Sequence, residues 1–159
     1  MAMDPQAAMR AAVAVPGVPR DSDGPVFREP WEAQAFAMTL ALHERGVFTW
    51  PEWAAALAAE IKRAQSAGDP DSGETYYSHW LNALEKLVAL EPNELSNYLE
   101  LGGLKTAHGD EEAGKAYFVK YEKLRTEAIL QLAKAKEPEA RAAAAEVLGS
   151  ARDQATAKA

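Results

Sequence analysis

The stretch "EPWEAQAFAMTLALHERGVFTWPEWAAALAAEI", Glu29 to Ile61, decides the fold. Pro30 suits the first turn of a helix, where its missing N–H goes unneeded. Trp31, Ala35, Met38 and Leu42 then recur at helical spacing, and Phe36 and Leu40 widen the apolar stripe. Gly46 is a natural stop, and the connection is the tripeptide "GVF". Thr49 and Glu52 form a Thr-x-x-Glu capping box with Pro51 in the same first turn. Trp53, Leu57 and Ile61 follow at steps of four, and the pattern fades near Gly68. Two amphipathic helices joined by a tight turn account for the whole stretch.

Working outward, "GDPDSG" (Gly68 to Gly73) reads as a loop, and Thr75 is placed to cap a third helix. Tyr77, Trp80, Leu81, Leu84 and Val88 give that helix its buried face. No segment alternates with period two for long enough to make a strand. The fold class expected is all-α, a small bundle of three amphipathic helices over residues 29–90 with additional C-terminal helices. Residues 1–28 are expected to form a flexible arm, because Pro5, Pro16, Gly17, Pro19, Gly24 and Pro25 interrupt any helical pattern. Beyond Glu91-Pro92 the composition shifts, with nine of the thirteen aromatic residues lying in residues 27–80. Residues 91–136 read as a helical hairpin. Its first helix is expected from Pro92 to Gly102-Gly103 and its second from about Glu111, with Ala113, Tyr117, Tyr121, Leu124 and Ala128 on one stripe. "YLELGGLKTAHGDEEAGKAYF" loosely resembles one tetratricopeptide unit, but no second copy exists, and such repeats need about three for stability. Residues 137–159 are expected to be an alanine-rich helix with a frayed tail.

Charge and composition exclude several function classes. The net charge is −7 and no basic block appears, so a nucleic-acid partner is not expected. With no cysteine there is no disulfide, thiol nucleophile or thiolate metal site. The apolar run "AAVAV" (Ala11 to Val15) is shorter than the roughly 7–15 residues an export signal needs. No stretch approaches the roughly 20 apolar residues of a membrane span, so the expected compartment is the cytoplasm. His43, His79 and His108 fall on three separate segments with no metal-ligand spacing. Asp69 and Asp71 belong to a turn, and Glu111-Glu112 complement a helix N-terminus. No catalytic residue, cofactor-binding residue or metal ligand is assigned, and the chain is not expected to be an enzyme.

The aromatics remain. Trp31, Trp53 and Trp80 fit the core of a small bundle, whereas Trp50 lies just inside the cap of the second helix. Four tryptophans with Phe36, Phe48, Tyr76 and Tyr77 are more than so small an interior readily hides. Aromatic residues are also favoured anchors of protein interfaces. The candidate partner-binding set is therefore Trp31, Phe48, Trp50, Trp53, Tyr76, Tyr77, His79 and Trp80. Within it Trp50, Tyr76 and His79 are expected to lie off the core and face outward.

The landmarks Glu29-Pro30-Trp31, Ala35-Phe36-Ala37, Gly46-x-Phe48, Trp50-x-Glu52-Trp53 and Tyr76-Tyr77-x-His79-Trp80, in that order, carry a resemblance. The chain resembles the nitrile hydratase accessory, or activator, proteins, which are similar to the N-terminal helical domain of the nitrile hydratase β subunit. The resemblance covers about 60 residues and does not account for the helices from Pro92 onward, which stand where a β subunit has its barrel-forming half. It implies a non-catalytic maturation factor that binds the nitrile hydratase α subunit and promotes its metal loading, most often with cobalt, before subunit swapping. The metal ligands would belong to the α subunit, so cobalt would be handled only through that partner. Two other readings stand beside it: a structural β-type subunit of a nitrile hydratase or thiocyanate hydrolase-like enzyme, and a metal carrier using His43, His79 and nearby carboxylates. A generic helical interaction module and self-association are also open.

Overall fold

The computed structural model describes residues 3–15, 17–70, 72–134, 138–139 and 141–146. Its elements run α1 (Pro5–Ala14), β1 (Arg20–Asp21), β2 (Gly24–Pro25), α2 (Pro30–Glu44), α3 (Trp50–Ser66), α4 (Tyr76–Val88), α5 (Leu95–His108) and α6 (Glu111–Ala133). β1 and β2 pair antiparallel as a two-residue ribbon, and residues 138–139 and 141–146 are helical. Among the described residues the fold is all-α apart from that ribbon. The frayed tail expected at the C-terminus lies outside the described residues.

The local chemistry that sets α2 and α3 is as the sequence implies. Pro30 stands in the first turn of α2, and the Glu32 carboxylate accepts from the Arg28 N–H at 2.6 Å. At the other end Gly46, with φ 78°, turns the chain left-handed, and the Val47 N–H returns to the Leu42 carbonyl at 3.1 Å. Thr49 caps α3: its N–H donates to Glu52 Oε2 at 2.7 Å, and its Oγ1 accepts from the Glu52 N–H at 3.4 Å. Thr49→Ala should therefore cost about 0.5–2 kcal/mol. Urea midpoints of the two proteins measure it, and equal midpoints would mean that packing alone holds the start of α3. Thr75, expected to cap α4, makes no such bond. Its hydroxyl donates to Asp69 Oδ2 at 2.8 Å instead and ties down the loop before the helix.

The N-terminal segment departs from the flexible arm expected of residues 1–28. Asp4 caps α1 by accepting from the Gln6 N–H at 3.0 Å and the Ala7 N–H at 3.3 Å. Pro5 thus stands in the first turn of a helix instead of interrupting one. Ala8, Ala11, Ala12, Val15 and Val18 are buried in the same cluster as Phe36, Trp53 and Trp80.

The C-terminal hairpin also differs in its boundaries. α5 starts at Leu95, not Pro92, because residues 91–94 are held as a turn. The Tyr98 hydroxyl donates to the Pro92 carbonyl at 2.8 Å, and buried Asn97 donates to Glu91 at 3.2 Å. α5 then runs through Gly102-Gly103 and stops at Gly109, whose φ is 102°. Gly102 is needed mid-helix because a Cβ there would come within 2.6 Å of the Phe118 ring on α6. Gly114 lets the two backbones meet, since its own Cβ would lie 2.9 Å from the Gly102 carbonyl oxygen. Tyr98, Leu101 and Leu104 join the central cluster, so one core runs across the expected division at residues 90 and 91. Between α4, α5 and α6, Glu85 accepts from the Tyr117 hydroxyl at 2.5 Å and pairs with Lys105 at 2.7 Å. α3 and α4 are joined by buried Glu60, which pairs with Lys86 and, at 2.9 Å, with Arg63.

Candidate functional site

Trp80 on α4 is the centre of the aromatic cluster. Its ring lies 4.7 Å from Trp53, 5.3 Å from Phe36 and 5.7 Å from Tyr77, centroid to centroid. Its Nε1–H donates to Thr39 Oγ1 at 2.8 Å, and the Thr39 hydroxyl donates to the Ala35 carbonyl at 2.9 Å. Thus α2, α3 and α4 each contribute an aromatic ring to a closed stack, with Phe48 lying 5.5 Å from Trp53 and Phe27 5.5 Å from both Phe36 and Tyr77.

Six of the eight candidate partner-binding residues are inside: Phe48, Trp53, Tyr76, Tyr77, His79 and Trp80 are all buried. Tyr76 and His79 thereby correct the expectation that both face outward. They lie off the main stripe of α4, but other segments cover them. Tyr76 packs edge-on to Tyr77 at 5.3 Å, and a Cβ on Gly17 would touch the Tyr76 ring at 3.5 Å. His79 Nε2 lies 3.1 Å from the Thr75 hydroxyl and 3.4 Å from Asp69, so the loop before α4 folds over it. Burial pushes both tyrosine hydroxyls well above the usual phenol range.

Only Trp31 and Trp50 of the set keep appreciable surface, and each leans on a histidine. Trp50 stacks on His43 at 4.1 Å, and His43 Nδ1 is 3.1 Å from the Phe48 carbonyl. Trp31 meets His108 edge-on at 4.8 Å, and His108 Nε2 is 2.9 Å from the Ser78 hydroxyl. Trp31 begins α2 while His43 lies in its last turn. At about 1.5 Å per residue Trp31 and His43, on which Trp50 stacks, are roughly 18 Å apart along α2, so the two half-buried indoles do not make one patch. Among the described residues no group of three or more His, Asp or Glu side chains is placed to hold a metal ion.

The cluster contains two buried polar atoms with no hydrogen-bond partner among the described residues, Trp53 Nε1 and the Tyr77 hydroxyl. Burying an unsatisfied hydroxyl costs about 1–3 kcal/mol. Tyr77→Phe keeps the ring and removes that cost, so it should leave the melting temperature unchanged or higher. A drop of several degrees would show that the Tyr77 hydroxyl is bonded in solution.

A surface that the sequence does not single out lies between α1, α2 and α5. It is a groove of about 580 Å³. Met38, Leu99 and Leu104 supply apolar lining, and Asp4, Glu44 and Glu100 supply charge. Leu99 is 46 % exposed. The only sequence signal was a leucine off the stripe of Tyr98 and Leu101, which is visible but unremarkable by itself.

Against known families, the model described as nitrile hydratase beta subunit, N-terminal, matches residues 12–146. The match spans all of α2 to α6, including the hairpin beyond Pro92 that the 60-residue resemblance did not account for. No curated protein and no solved structure matches the chain. Among the described residues no helix is long and apolar enough to cross a membrane.

Proposed function

This chain belongs to the nitrile hydratase beta-subunit N-terminal family, and from that premise we propose that it is a non-catalytic activator that binds the nitrile hydratase α subunit. In this reading it holds the α subunit in a state open to metal, cobalt by preference, and releases it to the β subunit by exchange. The observation that carries the reading is the family match across the helical scaffold, residues 12–146. A β-like surface is what an α subunit binds, so a β-like helper can occupy that place before the β subunit does. The chain has no cysteine, so thiolate ligands for the metal come from the partner. Trp31 and Trp50 are the members of the aromatic set with surface left to offer a partner.

The family's own description also favours a second reading, in which the chain is a structural β-type subunit that stays in the mature enzyme. One experiment separates them. The α and β subunits are co-expressed with and without this chain, and the purified enzyme is assayed for cobalt and for subunit composition. The activator reading expects a low metal content without the chain and no chain in the active enzyme. Full metal loading without it would sink that reading, and stoichiometric retention would assign the structural role.

A further inference from the structure

We propose that the groove between α1, α2 and α5 seats an amphipathic helix of a partner protein, one with Lys or Arg residues beside an apolar stripe. The floor is apolar, with Ala37, Met38 and Ala41 from α2 and Leu99 and Leu104 from α5. Its charged lining is of one sign: Asp4, Glu44 and Glu100 line it and no lysine or arginine does. Among the described residues neither Glu44 nor Glu100 forms an ion pair, although Asp4 approaches Arg10 at 3.9 Å. Glu44 lies in the last turn of α2, where the helix dipole disfavours a carboxylate. Partial burial also pushes the Glu100 carboxyl above its ordinary range, against a smaller opposing pull from the Arg45 guanidinium. Neither carboxylate meets a lysine or arginine within the groove lining, and both suit a cationic partner.

Gly103 is an independent observation. It lies within α5 and lines the groove. Unlike Gly102, it has nothing within 4 Å of where a Cβ would stand. A mid-helix glycine weakens a helix relative to alanine, and the folded chain gives no packing reason for this one. A close approach by another backbone is the remaining use of a bare helical position on a groove floor. A second copy of this chain is a poor occupant, because each copy carries a net charge of −7. Assigning the helix to the α subunit rests on the function proposed above, whereas the groove and its charge do not.

The test uses the full chain and three variants: Gly103→Leu, Gly103→Ala and the double reversal Glu44→Lys with Glu100→Lys. Two probes are titrated, the metal-free nitrile hydratase α subunit and a synthetic leucine–lysine amphipathic peptide of about 18 residues, roughly 27 Å as a helix. A glutamate twin of the peptide is the control. Gly103→Ala should raise the melting temperature of the free chain by about 2–4 °C. Gly103→Leu and the charge reversal should each weaken capture at least tenfold, and the reversal should abolish its salt dependence. Capture equal to wild type by folded variants overturns the proposal. A lower melting temperature for Gly103→Ala also overturns it, since the glycine would then serve internal packing. If wild type does not bind the α subunit, the proposed function falls and the peptides decide the groove. Preference for the lysine peptide, lost in Gly103→Leu, supports the groove, and no preference overturns it. Self-association abolished by the same substitutions would put a second copy in the groove and likewise overturn it.

Discussion

Trp80→Ala should cost about 3–5 kcal/mol, the range for deleting a large aromatic from a packed core. That is a large share of the roughly 5–15 kcal/mol that holds a domain of ordinary stability. The indole is 0 % exposed and touches rings from α2, α3 and its own helix, so no neighbouring segment can close the space without moving. The substitution also removes the 2.8 Å donation to Thr39, itself fully buried, although that hydroxyl keeps its bond to the Ala35 carbonyl. Most of the loss should therefore come from the cavity, with about 1 kcal/mol from the hydrogen bond. Trp80→Phe separates the two terms, because it keeps part of the ring stack and removes only the donor and some volume. It should lose clearly less than the alanine variant. Urea unfolding of all three proteins gives the comparison. A loss below about 1 kcal/mol for Trp80→Ala would mean that the rings around it collapse freely and that the cluster is not the keystone of the bundle.

Periodicity and cap chemistry are local, and local features were legible. The stripe of α2, the stop at Gly46 and the Thr49–Glu52 box could be read because the residues that make them lie within a turn or two of each other. Tyr76 and His79 were not legible in the same way. A helical stripe shows which face meets the main core, but not whether a loop or a distant segment covers the other faces. Here Gly17 comes up against Tyr76, and Asp69 and Thr75 close over His79. The first helix was hidden by small size rather than by irregularity. Ala7, Ala8, Ala11 and Ala12 keep helical spacing, yet alanine carries too little apolar area to mark a core face in the sequence. Gly102-Gly103 reads as a helix end because glycine commonly ends helices, and the approach of Phe118 explains why Gly102, though not Gly103, stands mid-helix. The groove needs three helices from distant parts of the chain, so no window of sequence contains it.

Deleting residues 1–24 should lower the melting temperature by several degrees, which reverses what a flexible arm would do. α1 packs on α2, and Val15 and Val18 are almost fully buried in the central cluster. Full burial of a valine is worth about 1.5–3 kcal/mol, and the four buried alanines of α1 add less each. Losing this contact should cost a few kcal/mol at most in a domain of ordinary stability, and each kcal/mol moves the melting temperature of a chain this size by roughly 2–4 °C. The deletion also uncovers one side of Tyr76, whose ring faces Gly17, so its effect extends beyond the residues removed. Val15→Asp is the companion variant: it leaves the chain length unchanged and puts a carboxylate where the side chain is 1 % exposed. Both proteins should melt lower than wild type, and both should lose the α1 wall of the groove. A truncated chain that melts with wild type would show that α1 docks too weakly to belong to the core. A weak effect of Val15→Asp would lead to the same conclusion without any change in length.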